Sequence, residues 1–342
     1  MAVVSATAPG RAGIIGNPSD IYGGTVVSCT VPRRARVTVE PAAQRRWGVC
    51  GEAGVLEGPD WTCADPDRPL LDLPKAVWRY LTRDNFPWRD RIIPDATFSL
   101  VAVTDVPMYS GFAGSTALVA AVMGAMLGWF GIELGPHELA EQVRAAEFDE
   151  MAVTCGFQDS YMTVFGGLNC VDCRDKALPR PDGERPYAAL EPLAHLVPDL
   201  PFVLANTGED HNSGEVHSGP RRRYEAGEEE VVAGFHRVGE LGRLGKKALL
   251  RGDWVGLGRL MNENHEITRR LKGSGEANEA LIAAALRAGA LGAKLSGAGR
   301  GGTIIALHED PDYVEQALCD AGAAFTVRLQ PQEGLTVTKE RC

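Results

Sequence analysis

Three glycine-rich segments hold the residues best suited to chemistry: APGRAGIIGNPSDIYGG (Ala8–Gly24), SGFAGSTALVAAVMGAML (Ser110–Leu127) and KLSGAGRGGTIIAL (Lys294–Leu307). Closely spaced glycines let backbone N–H groups approach and surround an anion, because no Cβ stands in the way. The second segment passes directly into an apolar stretch of helical character, and a helix N-terminus adds unpaired N–H groups and a favourable dipole. The pattern predicts a phosphate-binding site. Its candidate residues are Gly111, Ala113, Gly114, Ser115 and Thr116 of the second segment and Ser296, Gly297 and Gly299 of the third. Ordinary turn chemistry explains any one such run, and a plain N-cap explains the Ser115–Thr116 pair; the coincidence of all three runs favours the phosphate reading.

Other glycine and cysteine patterns fail on context. Gly297, Gly299 and Gly302 match the spacing of a dinucleotide fingerprint, but TIIAL (Thr303–Leu307) after them reads as a strand, where that fingerprint needs a helix. GRLGKK (Gly242–Lys247) lacks the P-loop spacing and sits inside a helical tract. Cys170 and Cys173 form a CxxC with no second pair to complete a tetrahedral metal site, so they read as structural residues of a strand.

The chain has 342 residues, of which 44% are hydrophobic, enough for a sizeable core in two domains or one two-lobed unit. A net charge of −10 disfavours nucleic-acid or anionic-membrane partners, which need a basic surface. MAVVSATAPGRAG lacks the charge and apolar run of a secretory signal, and no later stretch is long and apolar enough to span a bilayer; the expectation is a cytoplasmic protein with reduced thiols.

Strands are expected at Thr25–Pro41, as two short runs around a basic turn, and at Thr97–Val103. Helices are expected at Ser115–Trp129 and His137–Asp149, then a strand pair around Met162–Asp172. Lys176–Pro192, rich in proline and charge, reads as a linker or surface loop and places a domain division between residues 175 and 176. Beyond it come a strand at Leu200–Asn206, helices at Ala226–Arg251, Asp253–Leu271 and Glu276–Ala288, and a closing strand–helix–strand unit at Thr303–Leu307, Pro311–Ala321 and Ala324–Leu329.

Together the three segments resemble the motifs of the GHMP kinases, the superfamily of galactokinase, homoserine kinase, mevalonate kinase and phosphomevalonate kinase. Within it the chain looks most like the glucuronokinases, through GNPSD (Gly16–Asp20), GFAGSTA (Gly111–Ala117), GFQDSY with VFGG (Gly156–Gly167), SGEVHSGPRRRY (Ser213–Tyr224) and LMNENHEITRR (Leu260–Arg270). The resemblance implies an α+β fold of two lobes with the active site between them, including a left-handed β-α-β crossover. It also implies ATP and Mg2+ as cofactors, a small sugar acceptor, and a monomer or homodimer.

The resemblance also assigns roles. Thr116 would coordinate Mg2+ where the family usually has serine, and Glu147, rather than the neighbouring Glu141, Asp149 or Glu150, would complete the metal site from its position in AAE. Asp159 corresponds to the aspartate that accepts or orients the acceptor's hydroxyl proton, and Arg11 stands where relatives often have lysine. Asn17, Asp20, Ser213, His217 and Asn264 match the glucuronokinase pattern as substrate-binding residues. Arg223, within Arg221–Arg223, offers a carboxylate a bidentate partner, or else belongs to a solvated basic face balancing Glu228–Glu230. Arg300 adds a phosphate contact or points into water. The reading is a kinase of a sugar hydroxyl, the anomeric hydroxyl of D-glucuronate first. Its rivals are another sugar, amino sugar, cyclitol or amino alcohol as acceptor, and a non-catalytic nucleotide or sugar sensor.

Overall fold

A computed structural model describes residues 2–55, 69–153, 155–177, 186–209, 213–271, 273–297 and 302–341. Gly299 and Arg300 lie outside these residues, as do the side chains of Ser213 and His217. In chain order the first half contains β1 (Ala2–Ile15), β2 (Thr25–Pro41), β3 (Arg46–Val49), β4 (Glu52–Val55), α1 (Asp72–Thr82), β5 (Phe98–Thr104), α2 (Gly114–Trp129), α3 (Pro136–Ala145), α4 (Gln158–Phe165) and β6 (Leu168–Asp172). The second half contains β7 (Ala189–Pro192), β8 (Phe202–Asn206), α5 (Ser213–Glu225), α6 (Glu229–Leu250), α7 (Trp254–Arg270), α8 (Glu276–Arg287), β9 (Gly292–Leu295), β10 (Thr303–Leu307), α9 (Pro311–Asp320), β11 (Phe325–Arg328) and β12 (Thr336–Arg341).

The α+β architecture rests on two sheets. The larger runs β12-β1-β2-β5-β3-β4, with β6 on β2 and β7 on β6; its pairs are antiparallel except β3 with β5. The smaller runs β11-β8-β10-β9, antiparallel throughout. Helix α2 is apolar on every side and almost wholly buried, as an interior helix must be. The small sheet is buried on both faces: Phe202, Leu204, Ile305 and Leu307 join the main core, while Val203, Ala205, Ile304 and Ala306 pack with Leu281, Ile282, Val314 and Leu318 of α8 and α9. None of the helices of the described residues is long and apolar enough to cross a membrane.

Several expectations are corrected. β2 is one continuous strand, because Thr25–Cys29 pairs with β6 and Ala35–Pro41 with β5, so both halves have partners. The expected turn at Pro32–Arg34 is a bulge, where pairing with β1 jumps from Thr30↔Arg11 to Arg34↔Pro9. The first glycine segment is therefore strand as far as Ile15. The helix expected over His137–Asp149 ends at Ala145 and continues as a π-helical turn, Ala146–Glu150. Met162–Phe165 belongs to α4 rather than to a strand, α5 precedes the expected helical tract, and β12, not β11, is the last strand. The domain division expected between residues 175 and 176 is not among these corrections; the strands on either side of it, β6 and β7, pair with each other, and β12 pairs with β1.

Helix α6 lies against the ends of β1 and β2 along the stripe Gly239, Gly242 and Gly245, which accounts for the GRLGKK sequence. A Cβ on Gly242 would stand 1.9 Å from the Thr25 carbonyl oxygen, in a strand held on both sides by β1 and β6. Gly242→Ala is therefore expected to destabilise the protein by about 1–3 kcal/mol in urea denaturation. Gly135→Ala, at the N-cap of α3 with φ −63° and ψ 151° open to any residue and a Cβ that meets nothing within 4 Å, is expected to change stability by less than about 1 kcal/mol. Equal stability of the two variants would refute the close-packing account.

Candidate active site

The three glycine segments meet through their backbones. A Cβ on Gly297 would stand 2.6 Å from the Gly111 Cα, so only glycine permits this approach of the second and third segments. The Arg11 N–H donates to the Phe112 carbonyl at 2.9 Å and the Gly13 N–H to the Ser296 carbonyl at 3.2 Å, tying β1 to both. Thr303 closes the back of the junction: its hydroxyl donates to the Ser110 carbonyl at 2.7 Å and accepts from Asn206 Nδ2 at 3.1 Å.

Before α2 the chain turns sharply, with φ of +53° at Tyr109, +85° at Gly111 and +58° at Ala113. Ala113 is the N-cap and has no side chain to cap with. The first N–H groups of α2, on Gly114, Ser115 and Thr116, thus lack helical partners and line the cleft, the arrangement that binds an anion. The Ser296 hydroxyl, buried beside Gly297, also has no partner among the described residues. The residues assigned to phosphate thus include unpaired donors where a phosphate would need them.

Arg11 and Asp159 form the charged pair of the cleft. Arg11 Nε and Nη2 reach Asp159 Oδ1 at 2.7 and 2.6 Å, and Nη1 donates to the Gly111 carbonyl at 2.6 Å. Asp159 Oδ2 has no protein donor among the described residues, which leaves it able to accept from a ligand. Asp159 sits in the first turn of α4, and Asp20 sets where that helix starts: its Oδ2 accepts from the Phe157 and Gln158 N–H groups at 2.9 and 3.0 Å. Burial pushes the Asp20 carboxyl above its ordinary range, against the pull of those two N–H groups.

Glu147, on the π-helical turn, faces the start of α2. The Thr116 hydroxyl lies 3.0 and 2.9 Å from its two oxygens, and the Ser115 hydroxyl donates to it at 3.1 Å. The competing acids are engaged elsewhere: Glu141 with Tyr161 at 2.6 Å and Lys176 at 2.7 Å, Asp149 with Arg83 at 2.8 Å, and Glu150 with Arg79 at 3.1 Å. Burial pushes Glu147 up to about 7, although the two hydroxyls and Arg144 favour its charged form. Two hydroxyls around a carboxylate that forms no ion pair among the described residues make an oxygen-only cluster of the type that suits Mg2+, which takes few protein ligands besides phosphate and water.

The substrate-binding candidates divide. Asn17 and Asp20 line the cleft, but the Asn17 amide is engaged: Oδ1 accepts from Lys294 Nζ at 2.6 Å, and Nδ2 donates to the Ser296 carbonyl at 3.3 Å. Asn264 is fully buried behind it, accepting from the Gly16 N–H at 2.9 Å and donating to the Asn17 carbonyl at 3.2 Å, so it holds the turn. Arg223 is not brought to the cleft; it pairs with Glu228, as Arg221 pairs with Glu225 at 2.7 Å. These contacts match the basic-face alternative. Sequence reasoning missed Lys294, whose signal was a lysine set among strand residues of the third segment. Cys170 and Cys173 are buried free thiols, and burial pushes Cys170 up to about 11.

Comparison with known proteins agrees with this geometry. Residues 72–167 match the GHMP kinases N terminal domain and residues 246–326 the GHMP kinases C terminal domain. The chain is 30% identical to Glucuronokinase 1 of Arabidopsis thaliana over 327 residues, covering 89% of this chain and 85% of that one. It is 27% identical to a mevalonate kinase of Thermococcus onnurineus, covering 98% of each. Among solved structures, Lactococcus lactis galactokinase complexed with galactose superposes with a TM-score of 0.80 at 19% identity over 98% of this chain and 95% of that one. A D-glycero-D-manno-heptose 1-phosphate kinase from Bacteriodes thetaiotaomicron gives 0.72 at 23% identity, covering 99% and 100%. The convergent glycine segments, the uncapped α2 and the matches to both domain models make this chain a member of the GHMP kinases.

Proposed function

We propose that this chain transfers the γ-phosphoryl group of ATP to the hydroxyl of a sugar, and that the acceptor is D-glucuronate, phosphorylated at its anomeric position. The observation that supports phosphoryl transfer best is that Asp159 Oδ2, with no protein donor among the described residues, shares a cleft with the uncapped N-terminus of α2. Similarity to Glucuronokinase 1 over most of both chains supports the choice of acceptor.

In this reading the N–H groups of Gly114, Ser115 and Thr116 hold the nucleotide phosphates. Asp159 Oδ2 accepts the hydroxyl proton as the acceptor oxygen attacks the γ-phosphorus and ADP leaves. Arg11 holds Asp159 by Oδ1 and presents positive charge to the transferring group. An anomeric hydroxyl is more acidic than other sugar hydroxyls, so a carboxylate suffices as its base. Thr116, Ser115 and Glu147 would hold Mg2+, which supplies charge neutralisation on the phosphates.

One observation favours a second reading, a neutral sugar. Arg11 is the one cation among the described lining residues, and it is committed to Asp159 and Gly111. ADP release across glucuronate, galacturonate, glucose, galactose, amino sugars, mevalonate, homoserine and threonine separates the readings. Turnover confined to glucuronate supports the first; preference for a neutral sugar replaces it with the second.

Asp159→Asn is expected to lower turnover by roughly 10²–10⁴-fold while nucleotide affinity stays within about threefold. Retained turnover would remove Asp159 from the chemistry, and an enzyme inactive with every acceptor before mutation would favour a sensor. Glu147 yields a pH prediction. Its proton is held more tightly folded than unfolded, so this contribution to stability is complete below its ordinary pKa and is lost as pH rises through about 7. Relative to wild type without ligands, Glu147→Gln should gain on the order of 3 kcal/mol between pH 5 and 8. Parallel stability curves for the two proteins would show that Glu147 does not titrate as described.

A further inference from the structure

Lys294 on β9 is 1% exposed, the kind of site from which a lysine is normally excluded unless paired. Among the described residues no carboxylate bears on it. The charged groups that face it are Arg11 on β1 and His265 on α7, the latter beside Glu279 of α8. Burial and the Arg11 charge bring its ammonium down to about 7. Nζ instead donates to two oxygens, Asn17 Oδ1 at 2.6 Å and the Leu295 carbonyl. A neutral amine has two N–H donors, so these two acceptors satisfy it without an ion pair. A methionine would fill the same space without the desolvation cost, so the amine is retained for the link to Asn17.

That link leads to the reacting groups through a short run of contacts. Asn17 belongs to the turn Gly16–Asp20, which Asn264 grips from behind and Ser296 from the third segment. Three residues on from Asn17, Asp20 holds the Phe157 and Gln158 N–H groups, and Asp159 follows at once. We propose that Lys294 is a positioning residue, which through Asn17 fixes the Gly16–Asp20 turn and through Asp20 the start of α4, and so sets where Asp159 meets the acceptor. The rate readout below rests on the kinase reading, whereas the exchange readout needs no acceptor and tests the coupling even if that reading fails.

The test compares wild type with Lys294→Met. Turnover with the preferred acceptor is expected to fall 10–100-fold while the KM for Mg-ATP stays within threefold, because the N-terminus of α2 is untouched. Hydrogen exchange at the Phe157 and Gln158 amides is expected to quicken at least tenfold, while amides of β10 keep their protection. The combined Lys294→Met/Asn17→Ser variant should be no worse than either single one, since both cut one link. A folded variant with exchange at Phe157 and Gln158 unchanged overturns the proposal, as does exchange quickened uniformly across the sheets, which marks lost stability alone. Where turnover is measurable, a loss below threefold does the same. If Lys294→Met does not fold, Lys294→Gln and Asn17→Ser are read by the same criteria, and unchanged Phe157 and Gln158 exchange in both overturns it.

Discussion

The backbone of Gly111 against that of Gly297 is the contact on which the site depends. It brings a turn between β5 and α2 within touching distance of a turn between β9 and β10, across nearly two hundred residues of chain. Once those turns touch, the other placements are constrained. The carbonyls of Phe112 and Ser296 receive the N–H groups of Arg11 and Gly13, and Arg11 lies where its guanidinium reaches both Gly111 and Asp159. A single methyl group at Gly297 would part the segments.

Around that junction the fold spends its buried polar groups unevenly. Asn17, Asp20, Asn264 and Lys294 are buried and bonded mostly to the protein itself, so they shape the cleft. Among the described residues at the cleft, the groups left short of partners include the first N–H groups of α2, the Ser296 hydroxyl, Gln158 Oε1 and Asp159 Oδ2. Unmet donors and acceptors are costly inside a protein and are expected where a ligand completes them. In the proposed reading the α2 N–H groups and Asp159 Oδ2 are the ones that phosphate and acceptor would complete.

Much of this was legible in the sequence, and the failures share a cause. Helices α2, α6, α7, α8 and α9 have long periodic faces, and their boundaries fell within a few residues of expectation. The α4 helix was misread because its start is held by Asp20, which lies 137 residues away from Phe157. β2 was split because its two halves find different remote partners, and α5 was hidden by Pro220, a residue that usually ends a helix. Four acids between Glu141 and Glu150 look alike in sequence. What separates Glu147 is that Lys176, Arg83 and Arg79 engage the other three. The arginine run was ambiguous for the same reason, since Glu225 and Glu228 are its partners.

The return of β12 to the outer edge of β1 bears on how the chain folds during synthesis. Val3 pairs with Glu340 and Thr7 with Thr336, so the outer edge of the first strand stays open until Thr336–Arg341 has emerged from the ribosome. The same delay applies to the N–H of Gly13, whose acceptor is the carbonyl of Ser296. A nascent chain therefore exposes the outer edge of β1 until β12 has emerged, and lacks the Ser296–Gly297 side of the cleft until the third glycine segment has.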